Sequence, residues 1–470
     1  MTQTDSDVVR VDGGGGGLDR FFKISERGST VRTEVRAGLT TWLTMAYILF
    51  LNPFILGLVT DHNNVTLDAG QVLSVTALVA GAVTLAMGLY ANYPFALAAG
   101  LGLNGFVAFT LVGQLGLSWP EAMGVIVLEG VIITVLVLTN VREMIMDAIP
   151  VDLKRAIGIG IGLFIALIGL VNGGVVVLGT DPAPVQLNAD LSSLKILVFV
   201  VGLALAAILV TRRVKGGLLI AILASTVLAI VINQGFGHSA IWDPGVAHVP
   251  DTWVSSPHFD LLGHFSFGFT SVLGLGTTIA AVLAVMLSDF FDTMGTVTAL
   301  GAEAGLLEGE SKLPGVKRVL LVDSLAAVAG GAASSSSNTT YIESASGIAE
   351  GGRTGLTSVV VGALFVVSLL FSSIAGVIPP EATAPILVVV GFFMMQGIGE
   401  IDWRDPAMGI PAFLTIALMP FTYSITNGVG AGILSYAVIR LAQGRWRDVH
   451  IFTFVVAAIF AWYFFHGLLA

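Results

Sequence analysis

Three acidic residues sit where hydrocarbon would be expected. Asp289 and Asp292 lie in Ser288-Asp289-Phe290-Phe291-Asp292-Thr293-Met294-Gly295-Thr296, within a long apolar stretch. Glu343 falls near the end of a polar run, Ser334-Ser335-Ser336-Ser337-Asn338-Thr339-Thr340-Tyr341-Ile342-Glu343-Ser344. A carboxylate at membrane depth costs about 2.5–3.5 kcal/mol on insertion scales, so each is a functional candidate by default. Asp289 and Asp292 are three apart and share a helix face. Two close carboxylates in a low-dielectric site do not both ionise cheaply, which suits proton carriage. The hydroxyls before Glu343 would be wasted against lipid. A membrane tolerates such backbone only where it is buried in protein or lines a wet cavity. The run reads as an extended segment entering a half-helix at Thr339. Its free N–H groups and hydroxyls, with those of Thr340, would face a small polar ligand, and Glu343 would lie one turn in.

A second broken stretch reads Tyr93-Pro94-Phe95-Ala96-Leu97-Ala98-Ala99-Gly100-Leu101-Gly102-Leu103-Asn104. Asn104 can bond a ligand or staple the broken backbone. Phe95 can stack on a planar ligand or pack in a core. Thr44 and Tyr47 form a polar stripe on the first apolar stretch, where a Thr can also bond its own helix. The seven His residues show no metal spacing. No cofactor is expected, and no phosphate loop supports direct ATP drive. An enzyme would need a nucleophile and a base within reach of each other, and no buried His or Lys supplies the base. Gly158-Ile159-Gly160-Ile161-Gly162 is a close-packing face, without the strand context of a dinucleotide motif.

These residues must be positioned by a membrane fold. Of 470 residues 55% are hydrophobic and 11% charged, against about 25% charged in a soluble domain. The chain is expected to be an all-α polytopic membrane protein. With Cys 0 there are no disulfides or thiol ligands. The polar tail through Gly17 reads as disordered, and it lacks the basic start and apolar core of a signal peptide. Apolar stretches fall near 37–58, 70–91, 95–113, 121–140, 155–178, 193–211 and 217–236. A second set falls near 271–300, 317–333, 339–350, 354–378, 382–399, 407–425 and 427–441, with a last aromatic piece at 449–468. A span takes about 20 residues; the two polar, broken stretches are the third of each set.

The division this suggests is a cytoplasmic tail (1–35), a first seven-helix repeat (36–236), an outer loop (237–265), a second repeat (266–441) and a C-terminal hydrophobic segment (442–470). Basic residues such as Arg36, Arg155, Lys215, Arg318 and Arg353 land on one side if the N-terminus is cytoplasmic, and the 237–265 loop carries none. Seven spans per set inverts the second copy, and paired breaks point to a binding site at the midplane, as in secondary transporters.

Several motifs together resemble a known family. Phe22-Lys23-Ile24-Ser25-Glu26-Arg27-Gly28-Ser29-Thr30, Glu34-Val35-Arg36-Ala37-Gly38, Thr44-Met45-Ala46-Tyr47-Ile48, Asn52-Pro53, the Asp289–Thr296 run, Thr339–Gly347 and Gly351–Thr357 are similar to AzgA-type purine permeases of the nucleobase/ascorbate transporter superfamily. The resemblance implies two inverted sets of seven helices, divided into core and gate, and proton-coupled uptake of adenine, guanine and hypoxanthine across the cell membrane by elevator-like alternating access. It implies a proton in preference to sodium, and a homodimer in the lipid bilayer. It assigns the base to carboxylates matching Asp289 and Glu343. Asn104 matches a third-helix asparagine and Asp292 a second acid, while Thr339 and Thr340 match backbone donors. Trp42 and the Ser334–Ser337 run depart from the pattern. An anion transporter of the same fold is the rival; its site would want helix N-termini and a basic residue.

Overall fold

A computed structural model describes residues 16–139, 149–179, 183–235, 241–250, 252–307 and 313–469. The expected tail lies outside the described residues as far as residue 15. The residues after it are anchored: α1 (Gly17–Phe22) ends in a turn whose Phe22 and Ile24 are buried against Leu356.

The first span is α2 (Val31–Met45), capped by the Thr30 side chain, continued by α3 (Ile48–Gly57). Next come α4 (Ala69–Ala86), β1 (Leu97–Ala99), α5 (Leu101–Gly105) running into a π-helical segment Phe106–Gln114, and α6 (Trp119–Thr139). Then α7 (Val151–Asn172), α8 (Leu194–Thr211) and α9 (Gly217–Ile230) complete the first half. The span expected to reach 178 stops earlier. Gly174 (φ 73°) ends α7 in a left-handed turn that feeds a hairpin, β2 (Val176–Leu178) with β3 (Val185–Leu187). Sequence periodicity gave no sign of it.

The second half runs α10 (Phe269–Glu303), α11 (Val316–Ala332), β4 (Asn338–Thr340), α12 (Ser344–Ala349), α13 (Gly355–Ser368), α14 (Pro380–Met394), α15 (Pro406–Phe421) and α16 (Ile425–Ala442). The last helix, α17 (Ile451–Leu469), packs on α16 and α10. Among the described residues ten helices are long and apolar enough to cross a membrane. The fold is all-α and polytopic, with the third and tenth spans interrupted by short extended segments.

Those segments pair. β1 and β4 run antiparallel, Leu97 opposite Thr340 and Ala99 opposite Asn338. Tyr341 N–H donates to the Ala96 carbonyl and Gly100 N–H to the Ser337 carbonyl, each at 2.9 Å. Each broken span thus supplies the backbone partners that lipid cannot. Because the strands are antiparallel, α5 and α12 leave from opposite ends.

Packing separates two groups. α2, α4 and α13 lie together, α6 covers α10 and α11, and α12 rests on α2. In the other group α7 packs on α14 and α15, α8 on α9 and α14, and α15 on α16. Two of the three expected close-packing glycines are part of this: a Cβ at Gly160 would meet Met419 Sδ at 2.7 Å, and one at Gly162 would meet Met394 Cβ at 2.6 Å, whereas Gly158 lines a cavity and a Cβ there would meet no described atom within 4 Å.

Candidate functional site

The β1–β4 crossing borders a cavity of about 100 Å³ lined by residues including Tyr47, Gly102, Asp292, Thr339, Thr340, Tyr341 and Glu343 on one side and Val390 and Met394 on the other. It shares Gly102, Asp292, Thr296, Ile342 and Met394 with a larger cavity of about 480 Å³, whose lining includes Lys154 and Arg155. One wall therefore comes from the group holding the broken spans, and the other from α7 and α14.

Two carboxyl groups face this space. Asp292 is exposed to it on α10. Glu343 is half-buried and accepts a short hydrogen bond from the Tyr47 hydroxyl. Asp292 lies within electrostatic reach of Glu343. The Tyr341 hydroxyl donates to the Ala99 carbonyl and so ties its ring across the break.

The helix after the serine run starts later than expected. Asn338–Thr340 is strand, and α12 begins at Ser344 with Glu343 in the capping position rather than one turn in. Pairing with β1 holds these three residues extended. Thr340 N–H donates to Asp323 Oδ1 at 2.9 Å, and its hydroxyl to the same oxygen at 2.8 Å. The donor assigned to Thr340 by resemblance is therefore used inside the protein. Asp323 Oδ2 accepts from Thr293 Oγ1 at 2.7 Å, and Thr293 and Thr339 hydroxyls are 2.8 Å apart.

Asp289 does not line either cavity. It is buried, and its Oδ2 accepts from Ser337 Oγ at 3.3 Å. Three residues fall about 60° short of a turn, so α10 presents Asp292 to the cavity and Asp289 toward α6. Phe95 is buried with its ring stacked on Tyr93, 5.1 Å between centroids, away from the cavity. Thr44 bonds its own helix at Thr41 O, 2.8 Å, and meets Ser346 Oγ at 2.7 Å, which ties α2 to α12. Asn104 is fully buried on α5, and neither amide atom has a hydrogen-bond partner among the described residues.

The two departures from the motif pattern have local explanations. Ser334 and Ser336 take left-handed backbone (φ 56° and 67°) in the turn that ends α11. The Ser334 hydroxyl also reaches the carbonyls of Leu261 and His264 at 3.2 Å. Trp42 lines a separate apolar pocket with Leu49, Phe50 and Phe371. Glu34 and the Gly351–Thr357 motif are one structural unit. The Glu34 carboxylate accepts from Arg353 N–H (3.0 Å), Thr354 N–H (3.2 Å) and Thr357 Oγ1 (2.6 Å).

Sequence reasoning passed over two acids, Glu129 in the middle of α6 and Asp323 on α11. Both are buried, and both carry the signal that singled out the others: a carboxyl group within an apolar span.

Paired broken spans bordering one cavity, among ten helices long and apolar enough to cross a membrane in the described residues, define the class, a polytopic membrane transporter. The chain belongs to the permease family: the family model described as "Permease family" (Xan_ur_permease) matches residues 32–430. It is 39% identical to the adenine permease AdeQ of Escherichia coli (strain K12), over 98% of both chains. It is 37% identical to the guanine/hypoxanthine permease PbuG of Bacillus subtilis (strain 168), over 95% of this chain and 99% of that one. Among solved structures, the transmembrane domain of the cyanobacterial bicarbonate transporter BicA superposes with TM-score 0.58 at 14% identity, covering 87% of this chain and 96% of the other. Murine Slc26a9, an anion transporter in the inward-facing state, superposes with TM-score 0.60 at 11% identity, covering 93% and 74%. These two likenesses concern the fold.

Proposed function

We propose that the protein takes up purine nucleobases, adenine, guanine or hypoxanthine, across the cell membrane together with protons. The observation that carries this is the pair of carboxyl groups, Asp292 and Glu343, facing one small cavity beside the β1–β4 crossing. A purine offers ring N–H and amino donors, and carboxylates accept them. A site for an inorganic anion would place cations there instead. The permeases named for adenine and for guanine/hypoxanthine support the same substrate class.

In this reading Glu343, steadied by Tyr47, and Asp292 hold the base, with the Thr339 side chain alongside. The group carrying the broken spans acts as core. α7–α9 and α14–α16 act as gate, and the core slides against the wall formed by Val390 and Met394. The larger cavity's basic residues, Lys154 and Arg155, lie on the cytoplasmic side, as does the N-terminus.

The test is radiolabelled hypoxanthine and adenine uptake into proteoliposomes with an imposed pH gradient. Acid outside is expected to raise accumulation, because the proton enters with the base; reversing the gradient or adding a protonophore lowers it. Glu343→Gln and Asp292→Asn each remove a charged acceptor worth about 1.5–3 kcal/mol, so uptake falls about tenfold or more. Wild-type uptake by either variant would overturn the assignment.

A further inference from the structure

Glu129 has no assigned role. It sits mid-way along α6, fully buried, and neither of its oxygens receives a hydrogen bond from any donor among the described residues. What it faces is the Asp289 carboxyl of α10. Asp289 is buried in turn; its Oδ2 accepts from Ser337 Oγ, and its Oδ1 has no donor among the described residues. Among the described residues the charged groups bearing on Glu129 are Asp289 and Asp323, and those bearing on Asp289 are Glu129, Asp323 and Asp292. All are acids. Asp323 is already satisfied by Thr293 and Thr340. Two buried carboxylates in contact, faced among the described residues by further acids and by no basic side chain, are unstable as a doubly charged pair. One proton shared between them removes the repulsion and supplies the missing donor, in a short O–H···O⁻ bond.

We propose that Glu129 and Asp289 form a proton-binding site separate from the cavity, and that this pair carries the coupling proton. This rests on the uptake reading above. Binding converts a carboxylate to a carboxyl that donates to its neighbour; release returns both charges. Asp292, three residues along α10 and open to the cavity, provides the step to water. The link to the ligand is structural. Asp289 holds the Ser337 hydroxyl, and Ser337 immediately precedes β4, whose Thr339 and Thr340 line the cavity. The charge of the pair thereby bears on the strand that shapes the site. A proton shared by two groups belongs to the pair, so both partners matter for its capture.

Two measurements test this on the purified full-length protein. The first needs no substrate: infrared difference spectra between acid and alkaline buffer, in light and heavy water. A protonated-carboxyl band is expected in the wild type, absent from both Glu129→Gln and Asp289→Asn, and retained in Asp292→Asn. A band unchanged in Glu129→Gln overturns the site. The second is hypoxanthine binding from mildly acid to mildly alkaline buffer. Wild-type affinity is expected to weaken about tenfold, within the range typical of coupling between two sites. In Glu129→Gln, which mimics the protonated group, that pH dependence disappears while binding persists. Binding whose pH dependence equals that of wild type overturns the coupling role. If the band behaves as expected but no purine binds, the transport reading fails and the proton site stands.

Discussion

Asp323 is the residue on which β4 hangs. Its two oxygens accept from Thr293, from the Thr340 hydroxyl and from Thr340 N–H at 2.7–2.9 Å. Asp323→Asn turns one oxygen into a donor facing donors. Hydrogen bonds to a charged group contribute about 1.5–3 kcal/mol each. The variant is therefore expected to lose about that much stability, with a lowered melting temperature and weaker purine binding moving together. Tyr47→Phe is a milder change. It removes the hydroxyl that donates to Glu343 and leaves the ring in place, so a loss of about fivefold in affinity is expected, near 1 kcal/mol. Binding measured by titration calorimetry separates the two, since Tyr47→Phe leaves the strand anchor intact.

At the scale of elements, the close approach of α11 to β4 decides the shape of the cavity. A Cβ at Gly330 would press on the Ser336 carbonyl and the Asn338 amide. Backbone gives way less readily than a side-chain tip, so β4 must shift. Gly330→Ala is expected to reach the membrane and yet lose hypoxanthine binding about tenfold or more, a cost of order 1–3 kcal/mol for overpacking. Gly376→Ala, with no atom of the described residues within 4 Å of the added carbon, serves as the control and is expected to bind as wild type. Equal behaviour of the two in a binding assay would contradict this account of β4.

For the molecule as a whole, the two packing groups are tied on the proposed cytoplasmic face by a small ion cluster. Lys215, in the turn before α9, pairs with Glu350 after α12, and Arg36 of α2 reaches the same carboxylate at 3.0 Å. If the core slides against the gate, the Lys215 contact must open, whereas Arg36 moves with Glu350. Exposed pairs contribute about 0.2–1 kcal/mol. Lys215→Ala is thus expected to raise the rate of purine exchange by no more than about fivefold, read from counterflow in proteoliposomes, with Arg36→Ala having less effect. A larger or opposite change for Lys215→Ala would mean that the tie does not span the moving surface.

Hydropathy and the spacing of breaks were enough to reveal the membrane class, the positions of nearly every span and the two interrupted ones, because the cost of polar backbone in lipid is paid locally along the chain. The same rule marked Asp289, Asp292 and Glu343, and applied to every span it marks Glu129 and Asp323 as well. Only the tertiary structure decided which of these acids face the cavity. Direction around a helix depends on what packs against it. Asp292 looks toward the space bordered by α7 and α14, Asp289 toward Glu129 on α6, and residues 338–340 are held as strand by β1, far away in the sequence. Such partners are chosen by contacts distant along the chain, and periodicity within one stretch carries no record of them.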